Sequence, residues 1–474
     1  MQPAVVAPHN LNGFHQPRFD EGESGTDAPY ATEPERVAGR SFGSRVAGLT
    51  VVRFISVAAG FLTSVIGARL LGSDGVGAAG IAVVLATVAA VVCNGGSNIS
   101  TIYLLGRRPA RRRLLIGALI PIAGAGALLA AALVGLSGAT VAPLIGLPQR
   151  PDLFVAAAAL AAVIVTYEFA GAVLLGLGLT RAYVTAELVR GVGSLVATAL
   201  LLFGIWRSDV GFVVAAAIAI TIAASLNAYR IIRSVGSVAP RIDARVATEA
   251  LGIGLRGQIG NILQLVSLRL DQLIVPAFLS LSSAGVYLIA VRATEALAQV
   301  GSAAGSLIFP EVARQGNVVE TSLTERAVRA TSVMIAVAGL ALGVLAEPFL
   351  TIAFGPEFTA GSLALRILLV AMLPLSMARI LAGDLKGRGR PGTVSIAMGL
   401  AAIITVLLDL VLIPRLGIAG AAVASVVAYT VSATILATAF VRLTGADARA
   451  LVPGPADAAA VLRYLSTIRP GTAR

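Results

Sequence analysis

RRPARRRLLIGALIPIAGAGALLAAALVGL, residues 107–136, decides how this chain folds. Five arginines within 107–113 run directly into 114–136, where no residue is charged. A helix crossing a bilayer needs about 20 consecutive apolar residues, and Lys- and Arg-rich loops stay on the cytoplasmic side. Working outward, the same apolar length recurs at 46–68, 76–96, 153–178, 184–205, 210–229, 250–279, 284–309, 327–346, 362–384, 393–413 and 417–441. Hydrophobic residues make up 57% of the chain and charged ones 13%, with a mean hydropathy of +0.89. That balance lies far from soluble averages. The sequence therefore predicts an all-α polytopic membrane protein with about 12 transmembrane helices.

Charge placement orients the bundle. The loops leaving even-numbered spans hold sixteen basic residues, whereas the opposite loops hold four, namely Arg69, Arg150, Arg207 and Arg415. Both termini are expected in the cytoplasm of a bacterial cell, and the protein in its plasma (inner) membrane. The net charge of +12 then follows from topology. No basic face with interleaved aromatics suggests nucleic acid as a partner. Lys386 is the one lysine and Cys93 the one cysteine, which excludes a disulfide framework and a multi-cysteine metal site.

The organisation expected is a disordered cytoplasmic tail over 1–44, an N-lobe of six spans over 45–233, a cytoplasmic loop over 234–249, a C-lobe of six spans over 250–441, and a cytoplasmic tail over 442–474. Both histidines, His9 and His15, fall in the first tail, and 455–468 has the apolar spacing of a short amphipathic helix. An even number of spans per half gives the halves the same orientation, as in parallel repeats. Leu71, Gly77 and Ala82 match Leu279, Gly285 and Ala290 at one offset, and Gly176 and Gly178 match Gly387 and Gly389 at a slightly larger one.

Charges within spans cost roughly 2.5–3.5 kcal/mol at a helix centre, so they face a cavity or a partner. The central ones are Arg53, Glu168, Arg269, Asp271, Arg292 and Glu295; nearer the span ends lie Glu187, Arg190, Arg256, Arg379, Asp384 and Asp409. Arg292 with Glu295, and Glu187 with Arg190, are three apart and suited to pair along one helix face. Arg269 and Asp271 are two apart, so at least one needs a partner on another helix. Arg379 and Asp384 are expected to snorkel to the interface. Enzymatic signatures are missing. Lys386 lacks a Walker A context, no histidine falls in the membrane region, and no Asp-x-Asp pair occurs. No cofactor or metal is expected.

Ala68-Arg69-Leu70-Leu71-Gly72 followed by Gly75-Val76-Gly77 is the first of an ordered set of motifs. Leu268-Arg269-Leu270-Asp271-Gln272-Leu273-Ile274, Ala284-Gly285-Val286-Tyr287, Phe309-Pro310, Phe354-Gly355-Pro356-Glu357-Phe358 and Leu412-Ile413-Pro414-Arg415-Leu416-Gly417 follow. The set resembles that of bacterial polysaccharide flippases of the Wzx type, within the multidrug/oligosaccharidyl-lipid/polysaccharide exporter superfamily. Asp409 departs from it, standing where Asn is usual. The resemblance implies two six-helix lobes around a central cationic cavity that takes an undecaprenyl-diphosphate-linked glycan from the inner leaflet and releases it outside. Arg53, Arg269, Arg292 and Arg256 are then the expected substrate-binding residues, since guanidinium forks suit phosphate oxygens. Asp271 and Glu168 are the expected cavity or ion-coupling carboxylates, each able to neutralise a cavity arginine. Expected partners are the lipid-linked glycan, membrane lipids, a polysaccharide polymerase and glycosyltransferases. A cation-coupled multidrug exporter of the same fold and a non-transporting scaffold of glycan assembly stand as alternatives.

Overall fold

A computed structural model describes residues 38–140, 150–315, 321–457 and 459, and most side chains from Val52 onward. The side chain of Arg53, the histidines His9 and His15, and most of the amphipathic stretch 455–468 lie outside the described residues. The described residues from Ala47 onward form one compact unit.

The described chain is helical because hydrocarbon offers the backbone no hydrogen bonds, so each segment satisfies its own. In order come α1 (Ala38–Cys93), α2 (Ser97–Arg107), α3 (Arg112–Thr140), α4 (Pro151–Gly176), α5 (Thr180–Leu200), α6 (Asp209–Val235) and α7 (Ala244–Phe278). Then follow α8 (Leu281–Gln315), α9 (Ser322–Val344), the short α10 (Ala346–Ala353), α11 (Ser362–Gly387), α12 (Pro391–Leu416) and α13 (Ile418–Thr444). Among the described residues, nine segments are long and apolar enough to cross a membrane. One of them holds two spans, because Gly72 (φ 69°, ψ −177°) breaks α1 where the chain turns back. Charged and amide side chains interrupt α7 and α8, which complete the twelve.

The repeat seen weakly in sequence is explicit in the turns. Gly178 (φ 78°) ends α4 and Gly389 (φ 74°) ends α11. In both turns the residue after the glycine donates to a carbonyl five back, Leu179 to Leu174 and Arg390 to Leu385, each at 2.8 Å. A left-handed glycine allows this closure without a Cβ penalty. Two helices, α4 and α12, carry proline at the first position, Pro151 and Pro391.

Each half packs on itself, α3 on α4, α4 on α6 and α5 on α6 in the first, and α8 and α13 on α11 and α7 on α12 in the second. Two glycine crossings join the halves. A Cβ on Gly77 would overlap the Leu281 carbonyl, and one on Gly285 would overlap that of Ser73. Near the other end, Gly96 of the α1–α2 turn and Gly254 of α7 meet with equally little room.

The end at Gly72 is sealed by motif residues. Arg69 donates to the carbonyls of Thr351, Ile352 and Ala353 at the C-terminus of α10, where a cation also complements the helix dipole. Glu357 accepts from the Ser73 amide (3.1 Å) and hydroxyl (2.9 Å), and Ser73 bonds Ser282 (2.7 Å). Phe61 packs edge-on against Phe354 at 5.5 Å.

One expectation is corrected. Neither Arg379 nor Asp384 snorkels. Asp384 is fully buried and accepts from Thr324 (2.6 Å) and Arg388 (2.5 Å). Arg379 turns inward to the Ala298 carbonyl (2.6 Å) and the Ser302 hydroxyl (2.5 Å). Both find partners inside the bundle, which removes the reason to reach for the interface.

Candidate substrate cavity between the halves

Arg269 of α7 and Arg292 of α8 come together through one carboxylate. Arg269 donates to Glu295 at 3.2 Å and Arg292 does so twice, at 3.0 and 2.8 Å. Arg269 also reaches the Gln272 amide oxygen at 3.4 Å. The three side chains are each about a third exposed, between 28% and 36%. Two guanidiniums on one glutamate leave a local charge of +1 with donors unspent, and a planar fork with spare N–H groups suits phosphate.

Arg292 stands at the wall of a cavity of about 580 Å³ enclosed by α1, α2, α4, α5 and α6. Its lining is mixed, with more apolar than polar surface, and its charged side chains are largely balanced by near neighbours. Glu187 accepts from Arg190 (2.8 and 3.2 Å) and from the Tyr167 hydroxyl (2.9 Å), and the Arg190 guanidinium lies 5.9 Å over the Tyr167 ring. Glu168 accepts from the Asn94 amide at 2.7 Å. Ser56, Ser64, Thr87, Asn98 and Thr198 also line it, and the Thr198 hydroxyl is buried with no partner.

Asp271 does not face its neighbour Arg269. It is buried, taking the Tyr287 hydroxyl at 2.5 Å and the Gln272 amide at 2.8 Å. The aspartate of the R-x-D element thus ties α7 to the tyrosine of the G-x-Y element on α8. Beside it is Asp409 of α12, fully buried, with neither carboxylate oxygen hydrogen-bonded and within electrostatic reach of Asp271. A buried carboxylate with no partner is costly in its charged form. The sequence marked Asp409 as a charge near a span end and as a departure from a motif, but one acid in an apolar span does not reveal what faces it.

The expected residue set therefore divides. Arg269 and Arg292 meet. Arg256 lies thirteen residues earlier on α7, roughly 20 Å along the axis, and opens into a different cavity, of about 500 Å³, with Arg379 and Lys386. Glu168 is held in the first half by Asn94 and Asp271 in the second by Tyr287 and Gln272, and neither forms an ion pair with Arg269 or Arg292, which share Glu295. Among the described residues no group of three or more His, Cys, Asp or Glu side chains is placed to hold a metal ion. On the flank, Arg108 meets Glu249 across the halves through two 2.8 Å hydrogen bonds that push its guanidinium above its already high ordinary value.

A family model described as polysaccharide biosynthesis protein matches residues 66–362, more than half of the chain. The chain belongs to that family. It is 28% identical over 170 residues to a probable low-salt glycan biosynthesis flippase, Agl15, of Haloferax volcanii; the match spans 35% of this chain and about a third (36%) of that relative. Among solved structures, the lipid II flippase MurJ in an inward closed conformation superposes with a TM-score of 0.72 at 13% identity, covering 90% of this chain and 93% of that one. An inward-facing multidrug resistance MATE family transporter of the MOP superfamily gives 0.67 at 12% identity, over 82% and 95%. At such identities the likeness is one of fold: this multi-pass membrane protein has the two-lobe architecture of that superfamily.

Proposed function

We propose that the protein is a flippase that carries an undecaprenyl-diphosphate-linked oligosaccharide or polysaccharide precursor from the inner to the outer leaflet of the plasma membrane. The observation that carries this reading is the pair Arg269 and Arg292 sharing Glu295, with Arg292 at the wall of a cavity that also carries polar side chains. The diphosphate binds the two guanidiniums, the sugar enters the cavity against Tyr167, Asn98 and Thr87, and the lipid tail stays in the bilayer. Agl15, named a probable glycan biosynthesis flippase, and the family's description support it. A multidrug exporter of cations would instead want a free carboxylate at the rim, where Glu295 is committed twice over. Arg53 belongs to the same proposed set. The purified chain in proteoliposomes should move a polyprenyl-diphosphate-linked oligosaccharide between leaflets, read by protection of the sugar from an external glycosidase. A rate equal to that of empty liposomes would sink the proposal and favour a scaffold.

We place both termini, the 234–249 segment and the basic loops in the cytoplasm, with lobes over 45–233 and 250–441. In a Cys93→Ala background, cysteine at Arg111 or Arg241 should resist an impermeant thiol reagent in intact cells, while one at Arg150 should react. The reverse pattern inverts the bundle and the direction of transport with it.

Coupling is assigned to the buried carboxylates Asp271 and Asp409, with Glu168 a separate acid in the other half. No ATP-binding motif exists in the chain, and moving one charge across 100 mV is worth about 2.3 kcal/mol, so an ion gradient or the substrate's own charge can supply the drive. Asp409→Asn should leave passive exchange intact and remove acceleration by a proton or sodium gradient. Gradient-driven flipping at the parental rate in this variant would take Asp409 out of the coupling step.

A further inference from the structure

The cavity of about 500 Å³ in the C-half, at the end carrying the basic loops, holds Arg256 apart from the Arg269–Glu295–Arg292 cluster. Three cations line it, Arg256 of α7 and Arg379 and Lys386 of α11, and no carboxylate among the described residues does. Arg256 and Lys386 make no ion pair among the described residues. Arg379 is turned into the bundle with only neutral acceptors, the Ala298 carbonyl and the Ser302 hydroxyl, and its Nε is buried without a partner. The carboxylate that reaches it through space, Glu295, is shared by Arg269 and Arg292. A guanidinium held this way lacks a counter-charge, and buried charges are otherwise paired.

A second feature of the cavity is independent of these side chains. Pro391, Val394 and Ser395, from the first turns of the 26-residue α12, form part of its wall, and no side chain caps that helix N-terminus. Uncapped N–H groups and the positive end of the dipole favour an anion there. The adjoining C-terminus of α11 does not cancel this, since the Asp384, Leu385 and Lys386 carbonyls are taken by the turn that follows. Lysine as a point charge, arginine as a fork and a bare helix N-terminus are the three donors that phosphate recognition uses.

We propose that this C-half cavity is a second anion site, separate from the Arg269–Glu295–Arg292 rim, that binds a phosphate or diphosphate group. It stands on its own geometry, whatever the protein transports. The group reaches it either on a lipid headgroup from the adjacent leaflet or as a free anion from solution.

The test uses the full chain in phosphatidylcholine nanodiscs with inorganic pyrophosphate as the probe, followed by calorimetry. Arg269→Gln/Arg292→Gln removes the rim site, and pyrophosphate binding should persist in this background. Adding Lys386→Gln should then weaken it at least tenfold. Ser395→Asp, which retains all three cations and sets a carboxylate at the helix N-terminus, should weaken it similarly and guards against a Lys386 variant that fails to fold. Loss of all binding in the rim variant alone would overturn the second site and leave the flippase reading standing. Unchanged affinity in both Lys386→Gln and Ser395→Asp would overturn it too. Phosphatidic acid in the disc separates the sources: competition abolished by Lys386→Gln assigns the site to a lipid headgroup, and absence of competition assigns it to the free anion.

Discussion

Arg292→Ala should lower flipping of a lipid-linked diphosphate by about a hundredfold, which at 1.4 kcal/mol per decade corresponds to about 2.8 kcal/mol of lost binding. Without Arg292, Glu295 and Arg269 form a neutral pair, and the rim loses its surplus charge together with the donors facing the cavity. Arg269→Ala should do nearly the same by the same arithmetic. The double variant should fall well short of the product, because residues in one network are not additive. Lysine at 292 restores the charge without the fork and should recover only part of the rate. Glu295→Gln discriminates between this account and a merely structural network. It frees both guanidiniums, so binding of pyrophosphate at the rim should be kept or tightened, whereas a structural role predicts a loss as large as for the arginines. Initial rates in proteoliposomes and calorimetry on the same preparations read both outcomes.

Gly285→Leu should abolish accumulation of folded protein. At this crossing α8 lies against the backbone of the second span of α1, and a Cβ would meet the Ser73 carbonyl and come within 3.0 Å of the Gly77 amide. Those are main-chain atoms that cannot swing aside, so the halves must part along the whole seam. Gly285→Ala should already cost about 3 kcal/mol, the upper part of the range for overpacking. Gly77→Ala should cost a similar amount, because its Cβ faces the Leu281 carbonyl. Gly60 and Gly124 have open space at the same point, so alanine there should change thermal stability by less than about 0.5 kcal/mol. Melting temperatures in one detergent separate the two classes. Equal losses at all four positions would show that the close approach at the seam does not set the cost, since helix propensity alone favours alanine.

The motif set of the resemblance acquires a physical meaning in this light. Arg69, Gly72, Gly77, Gly285, Phe354 and Glu357 all serve the seal between halves, and Asp271 with Tyr287 fastens α7 to α8. These residues hold the bundle in one arrangement that the proposed transport has to open. The cavity arginines carry the proposed substrate contact, and of these only Arg269 also belongs to the motif set.

The sequence by itself determined the helical class, the number of spans and the two-lobe division, because each follows from a one-dimensional property, apolar run length against bilayer thickness. It also determined pairs within one helix, Arg292 with Glu295 and Glu187 with Arg190, since spacing along a helix fixes which side chains share a face. Partners on different helices were decided by tertiary structure alone. Glu295 serving two arginines, Asp271 turned to Tyr287 and away from Arg269, Asp409 left beside Asp271, and Arg256 set apart in a second cavity all depend on how far each helix is rotated about its axis. That rotation is fixed where backbones touch, at Gly77 against Gly285 and Gly96 against Gly254. In a chain with 51 glycines, composition does not mark which four these are; packing does.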